Sequence, residues 1–104
     1  MREIVIYLAD DGKIFQDFYD CQEYELTQEV KKHRDKDVDF YDKEEGTITD
    51  PAEIINGQTV WEMSIWSTDG LKLIKQLNEW NSLYENINAV GRWKYNDGWC
   101  LVEV

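Results

Sequence analysis

Eight carboxylates fall between Asp35 and Glu53, with only Lys36 and Lys43 among them as cations. Side chains two residues apart on a strand project from one face at a spacing of about 6.6 Å. Phosphates along one DNA strand rise about 3.4 Å per nucleotide along the axis and stand somewhat further apart through space. A strand carrying Asp37 and Asp39, extended by Asp35, Asp42, Glu44 and Glu45, is therefore a candidate imitation of a phosphate row. Its partner would be a nucleic-acid-binding protein or nuclease with a basic groove. The same run also suits a solvated acidic face that discourages pairing at a sheet edge.

Other chemistry finds less support. Asp35, Asp37 and Asp39 hold positions 1, 3 and 5 of a calcium-loop pattern, but Phe40 stands where a Gly is needed and Gly46 where a bidentate Glu is needed. His33 is the only histidine, and Cys21 and Cys100 lack CxxC spacing, so no metal and no cofactor is expected. The two thiols are expected reduced and at least partly buried. His33 is expected as a partly buried histidine at a helix end, without a nucleophile to serve. With no pair of carboxylates singled out by spacing, the expectation is a protein that is not an enzyme.

The net charge of −11 is uneven: residues 1–53 carry 16 of the 22 acids and 7 of the 11 bases. Such a field repels phosphates, which excludes direct nucleic-acid binding as an expectation. Five Trp, six Tyr and three Phe supply far more apolar bulk than a disordered acidic segment carries, so the chain should fold. Its 104 residues suit one domain, residues 1–104. No apolar run reaches the length of a membrane span and the first residues lack signal-peptide character, so no membrane partner and a cytoplasmic location are expected.

The elements that must position these residues centre on Thr59–Ile87. A period-2 strand there puts Trp61, Met63 and Ile65 on one face and Val60, Glu62, Ser64 and Trp66 on the other. The helix that follows, capped by Asp69 or Thr68, aligns Leu73, Leu77, Trp80, Tyr84 and Ile87 in one stripe. Upstream, residues 2–9 predict a strand covered on both faces, and Asp10 to Lys13 a turn. Asp20 with Glu23 suggests a capping box opening a helix over Cys21 to Arg34. Residues 37–42 predict a half-buried strand, Thr47 to Thr49 a short return, and Asp50-Pro51 one helical turn. Val90 to Tyr95 and Trp99 to Val104 flank Asn96-Asp97-Gly98, a hairpin signal.

This order predicts an α+β fold, ferredoxin-like βαββαβ with an additional C-terminal hairpin strand and two helices on one sheet face. The other sheet face would then gather Tyr7, Val60, Trp66 and Trp99. That apolar patch is the alternative interface, suited to a homodimer or a scaffold oligomer.

Residues Ala9 to Glu25 resemble a pattern met in small uncharacterised phage and mobile-element proteins of Gram-positive bacteria. The matching positions are Asp11, Gly12, Lys13, Phe15, Cys21, Tyr24 and Glu25. The resemblance implies a phage-type accessory protein and transfers no functional residue. Proteins of this kind include inhibitors of host defence, anti-CRISPR and anti-restriction proteins among them, some of which mimic DNA.

Overall fold

The computed structural model describes residues 3–104. Asp11 and Gly12 turn the N-terminal run straight back: the Asp11 carboxylate accepts from the Lys13 N–H at 3.0 Å, and Gly12 adopts φ +89°. As a result β1 (Tyr7–Leu8) pairs antiparallel with β2 (Ile14–Phe15) in a separate two-stranded ribbon. This corrects the doubly covered strand expected over residues 2–9, of which Arg2 lies outside the described residues. Ile4, Val5, Ile6 and Leu8 are exposed rather than central.

The first helix, α1 (Phe18–His33), starts earlier than the Asp20–Glu23 pattern suggests. Asp17 is its cap, accepting from the N–H groups of Tyr19 at 2.7 Å and Asp20 at 3.3 Å. The extra turn brings Phe18 against Tyr7 and Tyr19 against Trp80, edge to face, contacts that a start at Cys21 would forgo. Lys31, Lys32 and His33 occupy the last turn, where the negative end of the helix dipole favours them.

The remaining elements follow in order: β3 (Val38–Tyr41), β4 (Thr47–Ile48), α2 (Pro51–Asn56), β5 (Glu62–Ile65), α3 (Thr68–Asn81), β6 (Gly91–Tyr95) and β7 (Trp99–Glu103). Asp50 caps α2 ahead of Pro51, and Gly57 ends it in the left-handed region. Ser67 caps α3 by accepting from the Gly70 N–H, displacing the expected Thr68 or Asp69. That helix stops at Asn81, yet Tyr84 and Ile87 beyond it remain buried. Asn78 makes this possible, its side chain accepting from the Tyr84 N–H at 3.0 Å and its carbonyl from the Ser82 N–H.

The main sheet runs β4-β3-β5-β6-β7, with every neighbouring pair antiparallel. The α+β class stands, but a ferredoxin-like order would seat the N-terminal strand inside this sheet, and here that strand belongs to the ribbon. Register puts Val38, Phe40, Met63, Ile65 and Trp93 on one face. They share a core with Val30 of α1, Ile54 and Ile55 of α2, and Leu73, Ile74 and Leu77 of α3, so three helices, not two, cover that face. No described helix is long and apolar enough to cross a membrane.

Candidate partner-binding surface

The six carboxylates expected to line one edge are placed in unlike surroundings. Asp37 sits where α1 ends, β3 begins and α3 starts. Its Oδ2 lies 2.6 Å from His33 Nδ1, its Oδ1 accepts from the Ser67 hydroxyl at 2.7 Å, and its carbonyl accepts from the Trp66 N–H. The His33 bond, then the Ser67 bond, hold the Asp37 carboxyl below its ordinary range. Both of its oxygens therefore act inside the chain. Asp42 is also engaged, one oxygen accepting from the N–H groups of Glu44 and Gly46 to shape the turn into β4.

Asp39 projects from the outer sheet face, the one the helices leave open. Burial first, and Asp35 beside it second, raise its carboxyl above the usual value. Asp35, Glu44 and Glu45 are exposed. Asp35 and Glu45 lie at turns with positive φ, so strand alternation does not govern them. The structure thus brings Asp35 and Asp39 together, puts Glu44 and Glu45 at a separate turn, and draws Asp37 and Asp42 inward. His33 is half-buried, and its Nε2 faces Glu29 at 3.3 Å.

The expected aromatic face is not formed. Val60 is 5% exposed and Trp99 7%, and both belong to the core. Trp99 stands opposite Tyr95, in phase with Trp93 and Met63, hence on the helix-covered side. Val60 precedes β5 in a turn closed by its own N–H to the Gly57 carbonyl, so alternation does not reach it. Tyr7 lies in the ribbon, and Trp66, one residue past β5, is alone of the four a large exposed group, at 54%. The outer face is polar instead: Asp39, Ser64 and Arg92 form one cross-strand row, and Tyr41, Glu62 and Lys94 the next. Glu62, only 3% exposed, pairs with Arg92. Of the cysteines, Cys21 is buried and its thiol pushed up by burial and by Glu25, Asp10 and Asp11, whereas Cys100 is exposed, contrary to expectation.

Two clefts were missed by reasoning along the chain. One, of about 460 Å³, lies between the Ala9–Asp11 turn, α1 and α3, and is lined by Asp10, Asp11, Glu25, Glu29, Glu79 and Trp80 among others. The Asp10 N–H donates to Glu25, and the Tyr24 hydroxyl donates to Asp11, which draws the turn over the helix. The Tyr24 bond is the first cause lowering the Asp11 carboxyl below its ordinary value. Glu25 and Glu29, four apart on one helix face, were the available signal. The second cleft, of about 470 Å³, lies between the Gly57–Trp61 turn, the Ser82–Asn86 loop and the β6–β7 hairpin. Trp61, Tyr95 and Trp99 form its aromatic wall, and Glu85 and Asp97 contribute carboxylates. No residue pattern along the chain announces it.

No family model, no curated protein and no solved structure matches the chain.

Proposed function

We propose that this is a non-enzymatic, acidic accessory protein of phage type that works in the host cytoplasm by occupying the basic nucleic-acid groove of a host defence protein. The observation that carries the reading is how few carboxylates are matched internally. Among the described residues, Arg92 pairs with Glu62 and Glu103 and His33 lies against Glu29 and Asp37, and no other carboxylate is within ion-pair distance of a basic side chain, in a chain of net charge −11. The remaining field is directed at solvent, and a cationic partner is its complement. Asp35, Asp39, Glu44 and Glu45, with the acid-lined cleft beside α1, are the surface offered. Asp37 and Asp42 support it by holding the turns in shape.

The test is capture of the partner from its host followed by competition. The protein should displace nucleic acid from the captured partner, and its association should slow as salt shortens the screening length from about 10 Å at 0.1 M to about 3 Å at 1 M. A partner without a basic groove, or inhibition indifferent to salt, would overturn the reading.

A second reading is favoured by a different observation. Ile4, Val5, Ile6 and Leu8 are exposed beside the small ribbon, and β7 is an edge strand of the main sheet that exposes Leu101 and Val102. Extended apolar chain and an unpaired edge are the two halves of strand addition between copies. Self-association would therefore use these segments, in place of the aromatic face that the fold buries.

A further inference from the structure

We infer that the second cleft is a receptor for a single arginine side chain presented by a basic partner. The inference rests on the reading that the partner is cationic and adds where one of its side chains is recognised.

Trp61 and Tyr95 meet at 88° with centroids 5.3 Å apart, and Tyr95 and Trp99 at 68° with centroids 5.7 Å apart. Successive rings are turned almost perpendicular, so they make a corner of aromatic faces and edges rather than a flat stack. Trp99 is fixed in that corner by its indole N–H, which donates to the Leu83 carbonyl at 2.8 Å, and by the buried ring of Tyr84 behind it. Trp99 is thus held in place before any ligand arrives, which lowers the ordering cost of binding.

Charge then selects the occupant. The two ionised groups on the cleft lining are the carboxylates of Glu85 and Asp97, both on exposed residues, and no lysine or arginine lines it. An aromatic face attracts a cation through its quadrupole, and adjoining carboxylates add to that attraction while repelling phosphates and acids. The Trp61 ring already attracts a cation from outside the cleft, the Lys43 ammonium lying 5.2 Å from its centroid. A guanidinium suits the cleft better than an ammonium, since its plane stacks on aromatic faces and its forked donors reach carboxylates. A nucleobase would bring a phosphate towards Glu85 and Asp97, and a purely apolar ligand would leave their charges uncomplemented.

The test uses the isolated protein and three capped amino acids: Nα-acetyl-arginine N-methylamide, its uncharged isostere Nα-acetyl-citrulline N-methylamide, and Nα-acetyl-lysine N-methylamide. Binding is read from the indole N–H signals of Trp61 and Trp99 by two-dimensional NMR, with Trp66, exposed and outside both clefts, as the control. The arginine compound should shift Trp61 and Trp99 and leave Trp66 still. The citrulline compound should bind about tenfold more weakly or worse, the scale expected for a lost cation–π and charge-assisted contact, with lysine between them. The double variant Glu85→Gln with Asp97→Asn, which keeps side-chain shape and places Asn where φ is +54°, should lose a comparable factor while retaining the folded spectrum.

Equal binding of arginine and citrulline, an unchanged affinity in the double variant, or shifts confined to tryptophans other than Trp61 and Trp99 would each overturn the inference. None of these touches competition with nucleic acid at the partner, which the acidic surface can perform without this cleft. Conversely, arginine binding in a protein that fails to compete would overturn the proposed function and leave the cleft standing.

Discussion

Asp37 and His33 face each other across 2.6 Å, and through that contact the end of α1 is tied to the start of β3. The other Asp37 oxygen holds the Ser67 hydroxyl, which in turn accepts from the Gly70 N–H and caps α3. A residue expected to imitate a phosphate is thus a junction between two helices and a strand, and its charge is already answered within the chain.

Acid should expose this role. The Asp37 carboxyl titrates below its ordinary value of 3.8, so the folded state binds that proton less readily than the unfolded chain. The resulting stability is present above the unfolded value and is lost as pH falls from about 4 through the lower folded value. Asp37→Asn should lower the melting temperature at pH 7 and flatten the acid limb of the stability profile. The same limb in wild type and variant would show that the carboxylate is not linked to folding.

Gly70 tests how closely α3 approaches β3. Replacing a helical glycine with alanine ordinarily stabilises a helix by about 0.5–1 kcal/mol. Here a Cβ would collide with the Asp37 carbonyl oxygen, a backbone atom that cannot swing aside. Gly70→Ala should therefore destabilise by about 1–3 kcal/mol in denaturant titration, a reversal of sign.

Leu77 lies fully buried among the helices and the inner sheet face. Leu77→Ala should cost about 2–5 kcal/mol, the range for removing a core leucine into a site that cannot fully collapse. A loss under about 0.5 kcal/mol would mean that the stripe on α3 faces elsewhere.

Tyr84 combines burial with one strong bond, its hydroxyl donating to the Ile54 carbonyl at 2.6 Å. Tyr84→Phe leaves that carbonyl without its donor and should cost about 1–3 kcal/mol. Burial also pushes the phenol far above its usual value. Ultraviolet titration should accordingly show Tyr84 ionising only with alkaline unfolding, after the exposed tyrosines.

The edge segments can be read on a sizing column. If copies associate through β7, Val102→Lys should shift any oligomer to monomer, because a charge on an edge strand opposes pairing. Trp66→Ser should leave the oligomer intact under that reading, since Trp66 follows the inner strand β5 and is not part of the β7 edge. Loss of the oligomer with Trp66→Ser alone would return the interface to the open sheet face.

What the sequence determined by itself was local. The alternation of Val38 to Tyr41, the Asp50-Pro51 start of α2, the Asn96-Asp97-Gly98 hairpin and the stripe of α3 all follow from neighbours a few residues apart. Two things were decided only in three dimensions. The first was which strands join the sheet: residues 4–8 carry strand-forming side chains, but pairing depends on the nearest available ladder, and the Asp11-Gly12 turn supplied β2. The second was which face each strand turns inward. Alternation defines two faces without naming the buried one, so Trp99 reads equally well either way along the chain, and the register with Tyr95 and Trp93 settled it. The same reason hid the candidate surfaces. An acidic run predicts charge, but only the meeting of Asp37 with His33 and Ser67 distinguishes a carboxylate that braces the fold from one that faces solvent.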